Sequence, residues 1–231
     1  MRRVLLTGSA GGVGRVTGPA LEAAGWEVRP FDVTGGGDLR DPEAVMEAAS
    51  GCQAVVHAGA IPHDTAGSPV DIVATNLLGT WHVLWAAEAQ AVSRVVYFSS
   101  AQVFGFAEGE GEPAYLPVDD AHPIRAARPY GMSKRLAEEM CRAWTSRTGT
   151  ATIVLRPVMI LDDDGLRRYR PERADLGAFV HVDDVAAAAV KALAVPLDGH
   201  HRLTLCGPGD FDTTLTQQTL GWQPTRGWDG S

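Results

Sequence analysis

The sequence has few cysteines, few lysines and no long apolar run. The three cysteines, Cys52, Cys141 and Cys206, include no C-x-x-C pair, which excludes a disulfide framework or a zinc site and fits a reducing compartment. No segment approaches the ~18 consecutive apolar residues that a membrane helix requires. The apolar run at residues 4–6 is too short for a signal peptide. We therefore expect a cytoplasmic protein without a membrane partner.

Positive charge is also scarce. Lys and Arg total 20 against 28 Asp and Glu, a formal net charge of -8, so we expect no nucleic-acid partner. Of the 20 basic residues only Lys134 and Lys191 are lysines. The chain has 231 residues, 45% hydrophobic and 21% charged, which is typical of one globular domain with or without a small added lobe.

What the sequence does contain is an alternation of short apolar segments with helical patterns. The clearest strand candidates lie at residues 3–7, 27–31, 54–58, 95–99 and 152–155. Such alternation is typical of βαβ units, so we predict an α/β fold with a parallel sheet.

A glycine-rich loop follows the first strand and opens a helix. Gly8, Gly11 and Gly14 stand at G-x-x-G-x-x-G spacing, which suits a tight turn and a close approach of the backbone to a pyrophosphate. Alone, the motif also fits an ordinary glycine-rich turn. Asp32 ends the second strand, where a carboxylate can bind an adenosine ribose and repel a 2′-phosphate. This favours NAD over NADP, although a strand-end turn would use Asp equally well.

A tyrosine and a lysine stand four residues apart at the start of a predicted helix. Tyr130 and Lys134 therefore share one helix face, and a cation beside a phenol favours the phenolate. Tyr130 can then exchange a proton with a carbinol, and Ser100, which ends the fourth strand, can hydrogen-bond the same oxygen. Y-x-x-x-K also arises by chance, but the scarcity of lysine in this chain favours the catalytic interpretation.

Together these motifs resemble those of the extended short-chain dehydrogenase/reductases, also called the NAD-dependent epimerase/dehydratase family. Further matching segments are H-A-G-A at 57–60, N-L-L-G-T at 76–80, S-S-A-Q-V-F-G at 99–105, L-R-P at 155–157, H-V-D-D-V at 181–185 and L-G-W-Q-P at 220–224. The resemblance implies a Rossmann-type, doubly wound parallel sheet, bound NAD, and a homodimer formed through helices near residues 70–89 and 130–145.

The resemblance also implies the site residues. The expected catalytic residues are Ser100, Tyr130 and Lys134. The expected cofactor contacts are Gly8, Gly11, Gly12, Val13, Gly14, Asp32, Asp38, Leu39, Ala58, Gly59, Ala60, Asn76, Tyr130 and Lys134. No metal is expected at the histidines.

The chain leaves little room for a substrate lobe. We expect an NAD-binding core at residues 1–155, joined by elements near 179–195, and a small interleaved lobe within 156–231. Family members that hold nucleotide sugars usually carry a larger lobe, so this size resembles that of the uronate dehydrogenases.

Three residues are candidate substrate contacts: His63, Gln102 and Arg167. Arg167 belongs to a basic cluster that suits a carboxylate or a diphosphate, and that equally suits a solvated loop balanced by nearby aspartates. Phe104 stands where the family usually has Tyr, which removes one hydroxyl.

We predict an NAD-dependent oxidoreductase that acts on a sugar or sugar-acid carbinol, with Tyr130 as general base. An alternative is a nucleotide-sugar (UDP-sugar) epimerase or dehydratase that uses the same residues and keeps its NAD tightly bound. An alternative of another class is a non-catalytic dinucleotide-sensing protein, although such proteins commonly lack the Tyr/Lys pair.

Overall fold

The computed structural model describes residues 2–106, 111–168, 178–207 and 209–227. Its strands are β1 (Arg2–Thr7), β2 (Trp26–Phe31), β3 (Ala54–His57), β4 (Arg94–Phe98), β5 (Ala151–Pro157), β6 (Met159–Leu161), β7 (Phe179–His181) and β8 (His200–Leu205). Its α-helices are α1 (Gly14–Ala23), α2 (Pro42–Ala49), α3 (Pro69–Val73), α4 (Gly79–Ala89), α5 (Pro129–Thr148), α6 (Asp163–Arg168), α7 (Val182–Ala194) and α8 (Thr214–Leu220). A π-helical turn (Ala74–Leu78) joins α3 to α4.

Six parallel strands form the central sheet in the order β2-β1-β3-β4-β5-β8. The chain moves outward from β1 to β2 and then returns to β3 on the other side of β1. A crevice therefore opens beyond the carboxyl ends of β1 and β3, where ligands bind in open α/β sheets.

Alternate residues of each strand supply two hydrophobic cores. One core packs Val4, Val56 and Leu155 beneath α1 and α7, and the other packs Leu5 and Val55 beneath α2, α4 and α5. Every residue of β3 and β5 is buried, as expected for strands covered on both faces. The parallel sheet confirms the α/β fold predicted from the alternating pattern, and the helices on both faces confirm the doubly wound form that the family resemblance implies.

The second half of the chain returns to the main sheet. β6 and β7 form a separate two-stranded parallel sheet, whereas β8 pairs with β5 as an edge strand. The long segment before α5 bridges to the C-terminal region at Val118 and Phe211. The proposed boundary of the substrate lobe, at 155/156, stays a prediction.

No helix in the part of the chain that the structure describes has both the length and the apolar character needed to cross a bilayer.

Candidate active site

The glycine loop between β1 and α1 is built on positions that exclude a side chain. Gly8 has φ +67°, and a Cβ there would lie 2.5 Å from the backbone nitrogen of Gly59. A Cβ on Gly14 would lie 2.1 Å from the Gly8 carbonyl oxygen. Gly12 differs, because none of the described atoms outside its immediate chain neighbours comes within 4 Å of its Cβ position. The loop is therefore packed against β3 on one side and open on the other.

A groove of about 360 Å³ lies beside this loop, at the carboxyl ends of β1, β2 and β3. It brings together many of the predicted cofactor residues, namely Gly8, Gly11, Asp32, Asp38, Leu39, Ala58, Gly59 and Ala60. The other predicted cofactor residues, Gly12, Val13, Gly14, Asn76, Tyr130 and Lys134, are not among its lining residues. Val13 packs against the core beneath the loop.

The Asp32 carboxylate joins the glycine loop to the loop after β2 at the edge of this groove. Its carboxylate accepts hydrogen bonds from the backbone nitrogen of Ala10 at 3.2 Å and from the backbone and hydroxyl of Thr34, both at 3.0 Å. Burial acts to raise the pKa of Asp32, but the hydrogen bonds together outweigh it, so the pKa lies below its ordinary value. Asp32 therefore presents a negative charge at the groove, which disfavours a 2′-phosphate.

Asp38 has a partner that the sequence analysis missed. Arg40 donates through Nε to both carboxylate oxygens of Asp38, and through Nη2 to one of them at 2.6 Å. These bonds lower the pKa of Asp38. Arg40 also lies 3.8 Å from Asp71, on the same rim of the groove. The short D-x-R spacing was the only available signal for this clamp.

Lys134 is buried beneath Tyr130. Its side chain is 3% exposed, and Nζ donates a 2.7 Å hydrogen bond to the carbonyl of Phe98 at the end of β4. The ammonium lies 6.0 Å from the ring centroid of Tyr130 and 4.9 Å from that of Tyr97. Burial lowers the pKa of Lys134 to about 8. The structure thus brings the predicted Tyr/Lys pair together, with the lysine held at the strand end that leads to Ser100.

Tyr130 and Ser100 are each fixed by a local hydrogen bond. The backbone nitrogen of Tyr130, in the first turn of α5, donates to Asp64 Oδ1 at 2.7 Å. Ser100 Oγ accepts a bond from the backbone nitrogen of Gln102 at 3.2 Å, so its hydroxyl proton is available for another acceptor. Asp64 is a second residue that the sequence analysis missed, because its partner lies 66 residues away.

Asn76 braces the site rather than lining the groove. It lies in the π-helical turn and is 1% exposed. Its side chain accepts from the Ile61 backbone nitrogen, and it donates to the Ile61 carbonyl and to Ser133 Oγ. π-helical turns are frequent at functional sites. Here the turn ties the loop after β3 to α5, and the role of Asn76 as a cofactor contact stays a prediction.

The candidate substrate residues lie in different settings. His63 is exposed and hydrogen-bonds Thr65, next to Asp64. Gln102 is half-buried, two residues after Ser100. Arg167 is exposed on α6 and pairs with Asp164 at 2.8 Å, which matches the solvated alternative considered for it. The rest of its basic cluster, beyond Arg168, lies outside the described residues.

Phe104 does not face a substrate. It is 1% exposed, its ring stacks on Phe106, and the Arg156 guanidinium lies 5.3 Å from its centroid. The Tyr-to-Phe departure therefore changes the core behind the site.

His57 is a structural residue under the floor of the site. Its Nδ1 hydrogen-bonds Thr7 Oγ1 at 2.6 Å, and its Nε2 hydrogen-bonds Thr80 Oγ1 at 2.9 Å. Burial, helped by the charge of Lys134, lowers the pKa of His57 to about 3, so the ring is neutral. Across the described ranges, no three or more His, Cys, Asp or Glu side chains form a group that could hold a metal ion.

The geometry supports proton exchange at the carboxyl edge of the sheet, where the groove also lies. A phenol lies over a buried ammonium at the carboxyl end of β4, and a glycine loop with an open face follows β1 on the same edge of the sheet. A buried cation favours the phenolate, and a phenolate can accept the proton of a carbinol.

Comparison with known proteins agrees with this chemistry. Residues 4–161 match the model of the NAD dependent epimerase/dehydratase family. The chain is 29% identical over 211 residues to a uronate dehydrogenase of Pseudomonas syringae pv. tomato, covering 86% of this chain and 72% of that protein. In an alignment that spans 248 residues it is 31% identical to an L-arabinose 1-dehydrogenase (NAD(P)(+)) of Haloferax volcanii. The match covers 97% of this chain and 96% of that protein.

Among solved structures, a short-chain dehydrogenase/reductase superfamily protein from Agrobacterium tumefaciens with bound NAD superposes with a TM-score of 0.84. It is 25% identical to this chain, and the match covers 99% of this chain and 94% of that one.

Proposed function

This chain belongs to the NAD-dependent epimerase/dehydratase family, and on that premise we propose that it oxidises a sugar or sugar acid at a carbinol carbon. The observation that carries the proposal is the buried Lys134 ammonium beneath Tyr130, held at the carboxyl end of β4, on the same edge of the sheet as the groove beside the glycine loop. The similarity to two sugar dehydrogenases along most of the chain supports a free sugar as substrate.

The residues of the groove and of the glycine loop beside it fit NAD. Gly12 leaves open the space that a Cβ would take, which suits a pyrophosphate at the start of α1. Asp32 and Asp38 supply carboxylate acceptors for the hydroxyl and amino groups of an adenosine. When bound, NAD supplies the acceptor for the hydride that leaves the carbinol carbon.

Three side chains handle the proton of the substrate hydroxyl. Tyr130, as phenolate, accepts it, and Lys134 stabilises the phenolate by its charge. The Ser100 hydroxyl donates a hydrogen bond to the substrate oxygen, keeps its proton and thereby orients the carbinol. Lys134 is itself oriented by the Phe98 carbonyl, so the pair keeps its arrangement without substrate.

The substrate lobe, within residues 156–231, is proposed to admit a compact ligand. His63 and Gln102 flank the site on the loops after β3 and β4 and are the proposed contacts of a sugar. Arg167 is a weaker candidate because Asp164 already pairs with it.

The test is production of NADH when the purified protein is given NAD and a panel of free uronates, free aldoses and UDP-sugars. Net NADH with at least one free sugar is the expected result, and Tyr130→Phe is the matched inactive control. Isomerised UDP-sugar without net NADH would favour the epimerase alternative. NAD binding without any turnover would favour a dinucleotide sensor.

A homodimer in the cytoplasm is the proposed form of the protein. Leu78, Trp81 and Trp85 of the π turn and α4, with Leu136 of α5, are large apolar side chains that are each more than 40% exposed. The net charge of -8 argues against a nucleic-acid partner.

A further inference from the structure

Glu138 lies in the interior one helical turn after Lys134, and no role in the site has been given to it so far. Glu138 and Lys134 are 1% and 3% exposed. Glu138 Oε1 accepts hydrogen bonds from Ser99 Oγ at 2.6 Å and from Arg156 Nε at 2.8 Å, and Oε2 accepts from Arg156 Nη2 at 2.5 Å. Both oxygens are therefore held in fixed positions.

The bond to Ser99 connects this carboxylate to the two groups that serve Tyr130. Ser99 stands between Phe98, whose carbonyl accepts from Lys134, and Ser100. A shift of the β4 end against α5 would therefore move both the acceptor of Lys134 and the hydroxyl of Ser100. Glu138 and Lys134 are thus two side chains of α5 that bond this strand end.

We propose that Glu138 is a positioning residue for the site, whose carboxylate fixes the end of β4 against α5 and keeps Lys134 a cation. The inference rests on the proposed function only in that Lys134 serves Tyr130. Its effect on Lys134 can be measured without substrate or cofactor.

Because Lys134 is buried, a nearby negative charge has a strong effect on its pKa. Burial removes the ammonium from water and lowers its pKa to about 8, and the charge of Glu138 opposes that shift. The titratable and charged groups facing this region are Tyr130, Glu138 and Cys141 of α5, Tyr97 of β4, His57 of β3 and Arg156 of β5. His57 is neutral, and burial raises the pKa of Cys141 far above neutrality. Among the named groups, Glu138 is the carboxyl group, and its charge acts on Lys134.

A buried ion pair alone would not explain this arrangement. Replacing such a pair by apolar residues is often neutral or stabilising, so the Glu138–Arg156 pair is weak evidence for a stabilising role. Because the pair lies beside Lys134, it places a negative charge near the ammonium, which an apolar pair could not do. Without the carboxylate, Lys134 would lose its proton closer to neutral pH, and Tyr130 would lose the cation that favours its phenolate.

The experiment is direct titration of Lys134 by NMR in the protein labelled with ¹³Cε-lysine. The chain has only two lysines, and Lys191, which donates to the Gly221 carbonyl, serves as internal reference. In Glu138→Gln we expect the Lys134 midpoint to fall by about one pH unit or more, because a unit charge one turn away is removed from a low-dielectric site. The Lys191 midpoint should not move.

The matched control is Thr145→Val on the same helix. Thr145 is buried and bonds Thr152 of β5 at 2.7 Å, so the change removes a buried α5–β5 hydrogen bond far from Lys134. In this control we expect the Lys134 titration midpoint to equal that of the wild type. A Lys134 midpoint in folded Glu138→Gln equal to that of the wild type would overturn the proposal.

If Arg156, left without its partner, prevents Glu138→Gln from folding, a double variant tests the same proposal. Glu138→Gln/Arg156→Met removes both charges of the buried pair, and a smaller downward shift of the Lys134 midpoint is expected, because the cation that disfavours the ammonium is removed as well. No shift in the double variant would also overturn the proposal. The pH profile of kcat should move downward with the Lys134 midpoint, whereas a purely structural role would lower activity equally at all pH values.

Discussion

Tyr130 is the residue on which turnover depends most directly. In Tyr130→Phe the ring and its packing over Lys134 remain, but no phenolate can form. We expect kcat to fall by ~10²–10⁴-fold, which is the usual contribution of a positioned general base. NAD affinity, measured by calorimetric titration, should change little. Turnover retained within a factor of ~10 would assign the base to another group.

His57 should make the protein sensitive to acid. Its pKa is about 3 in the folded protein against 6.5 for the ordinary side chain, so the unfolded chain binds more protons between these values. The stabilisation is complete above about pH 6.5 and is lost as pH falls toward about 3. Urea unfolding at pH 7.5 and pH 5 should therefore show a loss of ~2 kcal/mol from this group.

Two variants distinguish the contribution of His57 to the pH dependence of stability from that of an exposed histidine. His57→Gln should be less stable at pH 7.5, because its bonds to Thr7 and Thr80 are altered, and should lose less stability on acidification. His63→Gln changes an exposed ring and should keep the wild-type pH dependence. Equal pH dependence in both variants would argue against a buried neutral His57.

At the scale of elements, two glycines of the loop between β1 and α1 should have different roles. One should be required for stability and the other for NAD binding. Gly8→Ala places a Cβ against the Gly59 backbone at φ +67°, so we expect it to destabilise the fold by more than ~1 kcal/mol. Gly12→Ala meets none of the described neighbours within 4 Å and should leave stability unchanged. It should still weaken NAD binding, because the methyl group enters the proposed pyrophosphate space. Unchanged NAD affinity in Gly12→Ala would place the pyrophosphate elsewhere.

The elements of the first half were predictable because their signals are local. Buried β-branched segments such as β3, the glycine spacing after β1 and the Tyr130/Lys134 spacing on α5 can each be read within a few residues. The comparison with known proteins confirms the family resemblance that these motifs carried. The π-helical turn was not foreseen, because it interrupts a segment whose pattern is helical throughout.

Contacts distant in sequence could not be predicted. Asp64 lies 66 residues from Tyr130, and Ser99 lies 39 residues from Glu138, so no sequence spacing indicates either hydrogen bond. The same holds for β8, which only the complete sheet identifies as the partner of β5. Predicting such pairs requires the register of the sheet, which depends on the packing of the whole core.

At the scale of the molecule, α4 is apolar on both sides. Val83, Leu84 and Ala87 face the core, whereas Trp81 and Trp85 are 41% and 48% exposed. A helix that is apolar all round is normally buried, and exposed apolar patches mark interfaces. Leu136 of neighbouring α5, 42% exposed, adds to the apolar surface of this helix pair. A second copy of the chain is the proposed partner, since a two-fold interface lets one such surface cover another.

Trp85→Glu should therefore convert the proposed dimer into a monomer, because a charge in the middle of an apolar interface remains unpaired and desolvated. Light scattering after size exclusion should give the mass of two chains for the wild type and of one chain for the variant. Leu215→Glu, at an equally exposed apolar residue on α8, is the control and should stay dimeric. A wild-type mass of one chain at micromolar concentration would contradict the dimer. If the variant is monomeric but still binds NAD, the groove is complete within one chain, as the residues that line it indicate.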